Sequence, residues 1–221
     1  MSNLEIELQA LKENLLEMMG LASKQIELCK EATISGDLKL AEQVIENEKR
    51  LNALELTMDK DCENILALHN PVATDLRFVL AVLKITGDLE RIGDNAKNIA
   101  TFLVKNSKKL DKNYLEKFGI GKMYEISISM LSCLGEALKK DDADLARKTF
   151  KEDELLNKKN KSGPKIAAAL IEEDPKQAKL IVRLLAVVNK LERVGDLAIN
   201  IAEEVVFHVE AKVLKHNKDK S

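Results

Sequence analysis

The sequence carries one run of possible ligand-bearing residues twice. LERIGDNAKNIA occupies residues 89–100 and LERVGDLAINIA occupies residues 191–202, so nine of the twelve letters are identical at an offset of 102 residues. The repeated letters include Glu, Asp and Asn, whose side-chain oxygens are ligands for hard and borderline metal cations. A helix core requires only apolar residues, so the repetition of these polar letters indicates a shared chemical role.

The repeated polar residues form a stripe if the segment is helical. At 100° per residue, Glu90, Asp94 and Asn98 lie within about 80° of one another, opposite the apolar positions of the same helix. The second copy gives the same stripe with Glu192, Asp196 and Asn200. We therefore expect these carboxylates to face outward or along a groove, and not to form an internal two-metal core.

A second polar strip precedes the first motif. Its members are spaced at i, i+4, i+7 and i+11, and they are Glu48, Asn52, Glu55 and Asp59. In an antiparallel hairpin this strip would run beside Glu90 and Asp94, and the two strips need positive charge between them because like charges on neighbouring turns repel. Salt bridges from Arg50, Arg91 and nearby lysines could supply that charge, or metal cations could supply it.

The rest of the chain must position these strips, and its composition favours helices. Of the 221 residues 45% are hydrophobic, 33% are charged and only 3% are aromatic, which is typical of helical proteins. Five turn signals divide the chain into six predicted helices: 4–34, 38–68, 72–104, 114–138, 143–171 and 176–213. Helices of about thirty residues joined by short loops are typical of antiparallel bundles.

The duplication extends beyond the opening motif. DLKLAEQVIENE at residues 37–48 and DADLARKTFKED at residues 142–153 share a frame at an offset of 105, and Pro71 and Pro175 keep the same order. Sequence repetition over this length indicates two copies of one supersecondary unit. The prediction is an all-α fold of two tandem three-helix bundles, with residues 1–108 as the first domain and residues 109–221 as the second.

Several function classes find no support in the sequence. The net charge of −2 gives no electrostatic basis for nucleic-acid binding. The most apolar runs are interrupted by Lys84 and Arg183, short of the ~20 apolar residues of a membrane span. The start of the chain lacks the order of a signal peptide, and phosphate-loop and nucleophile-elbow motifs are missing. We expect a cytoplasmic protein that is not an enzyme.

The doubled motif resembles the PhoU family of phosphate-uptake regulators. ERIGDNAKNIA, ERVGDLAINIA, the run from residue 69 to residue 94, and the pairs Glu48/Asn52 and Asp153/Asn157 carry the resemblance, which covers nearly the whole chain. It implies two PhoU repeats with multinuclear iron or zinc clusters on their surface. It also implies a cytoplasmic negative regulator that links a phosphate ABC transporter to a sensor histidine kinase, and we expect a homodimer.

Carried over position by position, the resemblance implies one metal site in each repeat. The first would use Glu48, Glu55, Asp59, Glu90 and Asp94, and the second would use Asp153, Glu192 and Asp196. The second repeat has Asn160 and Pro164 where Glu55 and Asp59 stand in the first, and Gly163-Pro164 should kink or interrupt the fifth helix.

Two alternatives to a metal-binding regulator stay open. The chain could be a helical interaction module whose acids are solvated, or a metal-dependent phosphohydrolase.

Overall fold

The computed structural model describes residues 2–107 and 109–214. Within these ranges the chain is all-helical, as predicted. The α-helices are α1 (Asn3–Ser35), α2 (Leu38–His69), α3 (Ala73–Asn106), α4 (Lys112–Phe118), α5 (Ile120–Lys140), α6 (Ala143–Arg147), α7 (Thr149–Glu173) and α8 (Ala178–Glu210), with a 3-10 turn at Pro175–Gln177 before α8.

The first three predicted helices match α1, α2 and α3 to within two residues, but two later ones are divided. The fourth predicted helix breaks at Gly119, whose φ of 67° caps α4 in the left-handed region that favours glycine. The fifth breaks at Lys148, between α6 and α7. These divisions are short adjustments, and the six-element order of the bundle persists through them.

The prediction that Gly163-Pro164 interrupts the fifth helix is wrong, and the alternative prediction of a kink stays a prediction. α7 continues through Pro164 to Glu173. Gly163 is buried, and a Cβ atom at this position would lie 2.7 Å from Leu185 Cδ1 of α8. Tight packing against α8 therefore holds this segment in the helix and outweighs the local cost of the proline.

The two repeats pack on each other along α3 and α8, and along α1 and α5. The buried hydrophobic residues of both repeats form one continuous cluster. Tyr124 of α5 is fully buried, and its hydroxyl lies 3.0 Å from Thr33 Oγ1 and donates to Cys29 Sγ at 3.4 Å, both on α1. The repeats thus share a core and a buried polar contact.

The predicted domain boundary lies at Lys108, which is outside the described residues, as are residue 1 and residues 215–221. The described residues show one shared core. The division into domains of residues 1–108 and 109–221 stays a prediction.

A glycine in each motif allows the helices that carry the acids to approach closely. A Cβ atom on Gly93 of α3 would lie 2.6 Å from Leu51 Cδ1 of α2, and one on Gly195 of α8 would lie 2.5 Å from Leu156 Cδ1 of α7. Real Cβ contacts do not reach such distances, so each leucine occupies the space that the missing side chain leaves. The repeated glycines therefore set the helix spacing in both copies.

We predict that Gly93→Ala destabilises the protein by about 1–3 kcal/mol, because the added methyl group must displace Leu51 in a packed interface. Gly20→Ala is the matched control, since Gly20 also lies inside a helix but has no atom within 4 Å of its Cβ position. The control should stabilise the protein by roughly 0.4–1 kcal/mol. Urea unfolding measures both changes, and equal stability of the two variants would refute the packing role of Gly93.

Candidate metal centre

Three acids meet in the groove between α2 and α3. Glu48 of α2 and Glu90 and Asp94 of α3 each place one carboxylate oxygen within 4.8 Å of the others. Within the described residues this is the one cluster of His, Cys, Asp or Glu with that geometry. The close packing of Leu51 on Gly93 lies beside this cluster and brings the two strips together. We call Glu48, Glu90 and Asp94 the acidic triad.

The acidic triad lies along a groove and is graded in exposure. Glu48 is 4% exposed, whereas the Asp94 side chain is 49% exposed and Glu90 is partly buried. The triad therefore runs from a buried floor at Glu48 to an open edge at Asp94. A ligand could reach this groove from solvent and still contact a buried carboxylate.

A lysine supplies positive charge to the triad. Lys97 Nζ lies 2.9 Å from Glu48 Oε1 and 3.9 Å from Asp94 Oδ1. Arg50 pairs with Glu17 of α1 and does not join the triad. Arg91 pairs with Asp88 one turn earlier, and its charge also lowers the pKa of Glu90 and of Glu55. The i, i+3 spacing of Asp94 and Lys97 on one helix face is the sequence signal that could have identified this lysine.

The pKa shifts differ between Glu48, whose negative charge Lys97 stabilises, and Glu90. Burial raises the pKa of Glu48, but hydrogen bonds from Lys97 and Asn52 outweigh it and hold the pKa below its usual value. The pKa of Glu90 is raised by burial, and the neighbouring charge of Asp94 raises it further. The negative charge on Glu90 is therefore unfavourable in the triad, and a multivalent cation would relieve it.

Glu55 and Asp59 continue the acidic groove along α2. A Cβ atom on Gly87 of α3 would lie 3.9 Å from Glu55 Oε1, so Glu55 reaches across to α3. Burial raises the pKa of Glu55, and the charge of Asp59 raises it further. Glu55 thus lies near Glu90, whose pKa its charge raises, and Asp59 lies one turn further along α2. Neither belongs to the compact group.

The second repeat places its three predicted acids at the α7–α8 interface. Burial raises the pKa of Asp153 to about 6, and the charges of Asp196 and Glu192 add to the shift. The pKa of Glu192 is also raised, first by burial and then by Asp196, against a hydrogen bond with Asn160. A Cβ atom on Gly195, which lies between Glu192 and Asp196 in the sequence, would be 2.8 Å from Asp153 Oδ1, so Asp153 reaches across to α8.

The second site is nevertheless poorer in carboxylates. Asn160 and Pro164 stand at the positions of Glu55 and Asp59. Glu152, next to Asp153, accepts a hydrogen bond from Ser129 Oγ of α5 at 3.1 Å and so faces another helix. Arg193 pairs with Asp196 at 3.3 Å. Fewer negative charges therefore face this groove than face the groove of the first repeat.

Two buried oxygens fit the chemistry of a cation site. Asn52 Oδ1 and Asp153 Oδ1 are buried and have no hydrogen-bond partner among the described residues. Each belongs to a matching pair, since Asn52 donates to Glu48 at 2.8 Å and Asn157 donates to Asp153 at 2.7 Å. An unsatisfied buried oxygen costs about 1–3 kcal/mol. Carboxylate and amide oxygens are suitable ligands for a hard or borderline cation.

The fold and the grooves define a duplicated three-helix protein with a carboxylate-lined groove in each copy. Comparison with known families gives the same division, because the PhoU domain matches residues 15–103 and 120–205. The chain belongs to the PhoU family.

Relatives and solved structures resemble nearly the whole length of the chain. A phosphate-specific transport system accessory protein PhoU homolog of Pseudomonas aeruginosa is 32% identical, over 95% of this chain and 86% of the relative. The PhoU accessory protein of Escherichia coli is 28% identical, with 95% and 86% covered. The crystal structure of PhoU from Pseudomonas aeruginosa aligns with a TM-score of 0.87 at 32% identity, covering 94% of this chain and 99% of that one.

A second solved structure, the phosphate transport system regulatory protein PhoU from Streptococcus pneumoniae, aligns with a TM-score of 0.82 at 26% identity, with 96% and 100% covered. The comparisons confirm the predicted family and the duplicated all-α fold. Membership in a family of transport accessory proteins also confirms the expectation that the chain is not an enzyme. Among the described residues, every helix is too short or too polar to cross a lipid bilayer.

We predict that Lys97→Met destabilises the chelator-treated protein by about 1–2 kcal/mol at neutral pH. The variant leaves Glu48 buried with Asn52 as its remaining partner, and solvent screens part of the effect because the lysine side chain is 38% exposed. The folded-state pKa of Glu48 lies below its ordinary value of 4.5, so the contribution is present above that value and is lost as the pH falls through the folded pKa.

Chemical denaturation in chelator at pH 7 and at pH 4 measures this change, with the exposed Lys39→Met as control. Divalent cations should restore more stability to Lys97→Met than to the unaltered protein, because the cation replaces the ammonium group. A variant as stable as the unaltered protein at pH 7 would show that Lys97 does not stabilise the acidic triad.

Proposed function

We propose that this chain is a cytoplasmic, metal-binding negative regulator of phosphate uptake that acts as a homodimer. Its partners are a phosphate ABC transporter and a sensor histidine kinase, which it contacts through its helical surface. The observation that carries the proposal is the compact acidic triad in a PhoU repeat. Support comes from the names of its relatives, which describe accessory proteins of phosphate-specific transport.

The first site would hold its cations with the acidic triad, and Glu55 and Asp59 would extend it along the groove. Glu48 and Asp59 are eleven residues apart on α2, which is about 16 Å along the helix and too far for one ion to bind all five carboxylates. This spread supports a cluster of iron or zinc ions. Lys97 would leave the groove when cations bind, since its ammonium group lies on a flexible stem and its side chain is 38% exposed.

Metal at this site would couple the positions of two helices. Glu48 lies on α2, and Glu90 and Asp94 lie on α3, so one shared cation would join both surfaces. Bound cations would also reverse the local charge of an acidic groove. Both effects change the surface that a partner protein meets, which offers a physical link between metal occupancy and regulation.

The second site would use Asp153, Glu192 and Asp196 and should hold metal less tightly. Affinity for a cation rises with the number of charged oxygen ligands. The orphaned Asp153 Oδ1 supports a role for this group. Asn160 is a neutral ligand, and Pro164 offers none.

We predict that chelation empties the second site before the first. Crystals of the metal-bound protein soaked in chelator for increasing times should lose anomalous scattering at Glu192 and Asp196 while the signal at Glu90 and Asp94 persists. Equal loss at both positions, or earlier loss at Glu90 and Asp94, would refute the ranking of sites by carboxylate number.

We predict that deletion of the gene causes constitutive expression of phosphate-uptake genes at high phosphate. The unaltered chain should restore repression, and Glu90→Ala with Asp94→Ala should fail to restore it despite normal protein levels. Glu42→Gln with Glu63→Gln is the control, since it also removes two negative charges but changes only exposed acids of α2.

The measurement is the transcript level of phosphate-uptake genes in four strains: the deletion strain, and that strain carrying the unaltered chain, the Glu90→Ala and Asp94→Ala variant, or the control variant. Normal repression in the deletion strain would exclude the regulatory role. Full repression by the Glu90→Ala and Asp94→Ala variant would show that regulation does not require metal at the first site.

A further inference from the structure

A basic groove lies where α3 ends and α8 begins. Two adjoining cavities, of about 470 and 250 Å³, open at this end of the α3–α8 interface. The basic groove is lined by Lys105, Lys176, Lys179, Arg183 and Lys190. Lys105 of α3 and Arg183 of α8 line both cavities, so the two cavities form one continuous cationic surface.

The charge of the basic groove is not balanced within the protein. No carboxylate lines either cavity among the described residues. In the same part of the chain, none of the five cations forms a salt bridge. Five cations held near one another without counter-charge repel, so this arrangement favours an anionic ligand.

The duplication shows that the fold does not require this charge. The other end of the α3–α8 interface holds the equivalent positions, and there Lys84 pairs with Glu204 at 3.1 Å. At the offset of 102 residues, four acids at that end correspond to uncharged or basic residues of the basic groove: Asp75 to Gln177, Asp88 to Lys190, Glu203 to Thr101 and Glu204 to Phe102. One packing arrangement thus accommodates paired charges at one end and unpaired cations at the other.

The helix ends add to the local field in opposite senses. α8 begins at Ala178, directly after the 3-10 turn of Pro175–Gln177, so the positive end of a 33-residue helix lies beside Lys176 and Lys179. α3 ends at Asn106, and Lys105 in its last turn offsets the negative end of that helix. The region therefore combines side-chain cations with the positive end of a helix, and both favour an anion.

The number of cations in the basic groove favours an anion with several charges. Four cations line the larger cavity. A helical peptide would bring few negative charges to them, because its carboxylates on successive turns are about 5–6 Å apart. Linked phosphate groups place several charges within a shorter distance. Lysine is a common phosphate ligand, and arginine binds phosphate oxygens in pairs. Phe102 and Leu180 give the cavity an apolar wall that an attached organic group could contact.

We propose that the basic groove binds an anion with at least two linked phosphate groups, independently of the metal centre. Tripolyphosphate and a nucleoside triphosphate share this chemistry. The groove joins the two repeats, so the ligand would bridge α3 and α8.

Isothermal titration of the full chain in metal-free buffer tests the proposal with tripolyphosphate, ATP and orthophosphate as probes. Tripolyphosphate should bind at least roughly tenfold more tightly than orthophosphate, because it contacts several cations at once. Lys105→Gln with Arg183→Gln should weaken tripolyphosphate binding by roughly tenfold or more. Lys39→Gln with Lys165→Gln removes the same charge from exposed positions and should leave the affinity within about twofold.

Two more variants test whether the anion binds in the basic groove and not at the metal centre. Lys190→Asp introduces at this position the negative charge that Asp88 carries at the equivalent position of the first repeat. This variant should also weaken binding. Glu90→Ala with Asp94→Ala should not weaken binding, because it removes none of the cations of the basic groove. ATP that binds as tightly as tripolyphosphate, or more tightly, supports the proposal, and tighter binding shows that the apolar wall contacts the nucleoside.

Four results would overturn the proposal. The first is no measurable binding of tripolyphosphate, and the second is equal weakening by the two charge-removing pairs. The third is equally tight binding of polyglutamate of matched charge, which would show that phosphate groups are not recognised. The fourth is loss of binding in the Glu90→Ala and Asp94→Ala variant, which would place the anion at the metal centre.

Discussion

The close packing of a leucine over a helical glycine is the contact on which both acidic grooves depend. Leu51 fills the space above Gly93, and Leu156 fills the space above Gly195. A larger residue at either glycine would push the paired helices apart, and the carboxylates that face each other across the pair would separate. The glycine and the acids of the duplicated motif therefore act together, because the glycine sets the distance between the facing carboxylates.

The same approach of the helices creates the electrostatic problem that a cation would solve. Glu48 is buried and depends on Lys97 and Asn52, while the pKa of Glu90 is raised by burial and by its acidic neighbours. One ammonium group does not satisfy three carboxylates. The repulsion is smaller in the second repeat, because neutral Asn160 and Pro164 replace two of the acids. Asp153 nevertheless has a buried oxygen without a hydrogen-bond partner among the described residues.

The sequence predicted the helical repeats and the acidic strips of α2 and α3 because both follow from local periodicity. The angular positions of Glu90 and Asp94 required only the helix repeat, and the long α1, α2 and α3 had clear turn signals. The break at Lys148, the continuous helix through Pro164 and the partner of Lys97 depend on packing between helices. Arg50 shows the limit clearly, since its pairing with Glu17 depends on the position of α1, which no local pattern specifies.

The central claim is that the acidic triad binds metal, and elemental analysis of protein purified without chelator tests it most directly. We expect Glu90→Ala with Asp94→Ala to lower the metal content per chain by about one cluster while circular dichroism shows an unchanged helical fold. Glu42→Gln with Glu63→Gln should keep the full metal content. Equal metal content in all three proteins would contradict the claim and leave the acids of α2 and α3 as a solvated surface.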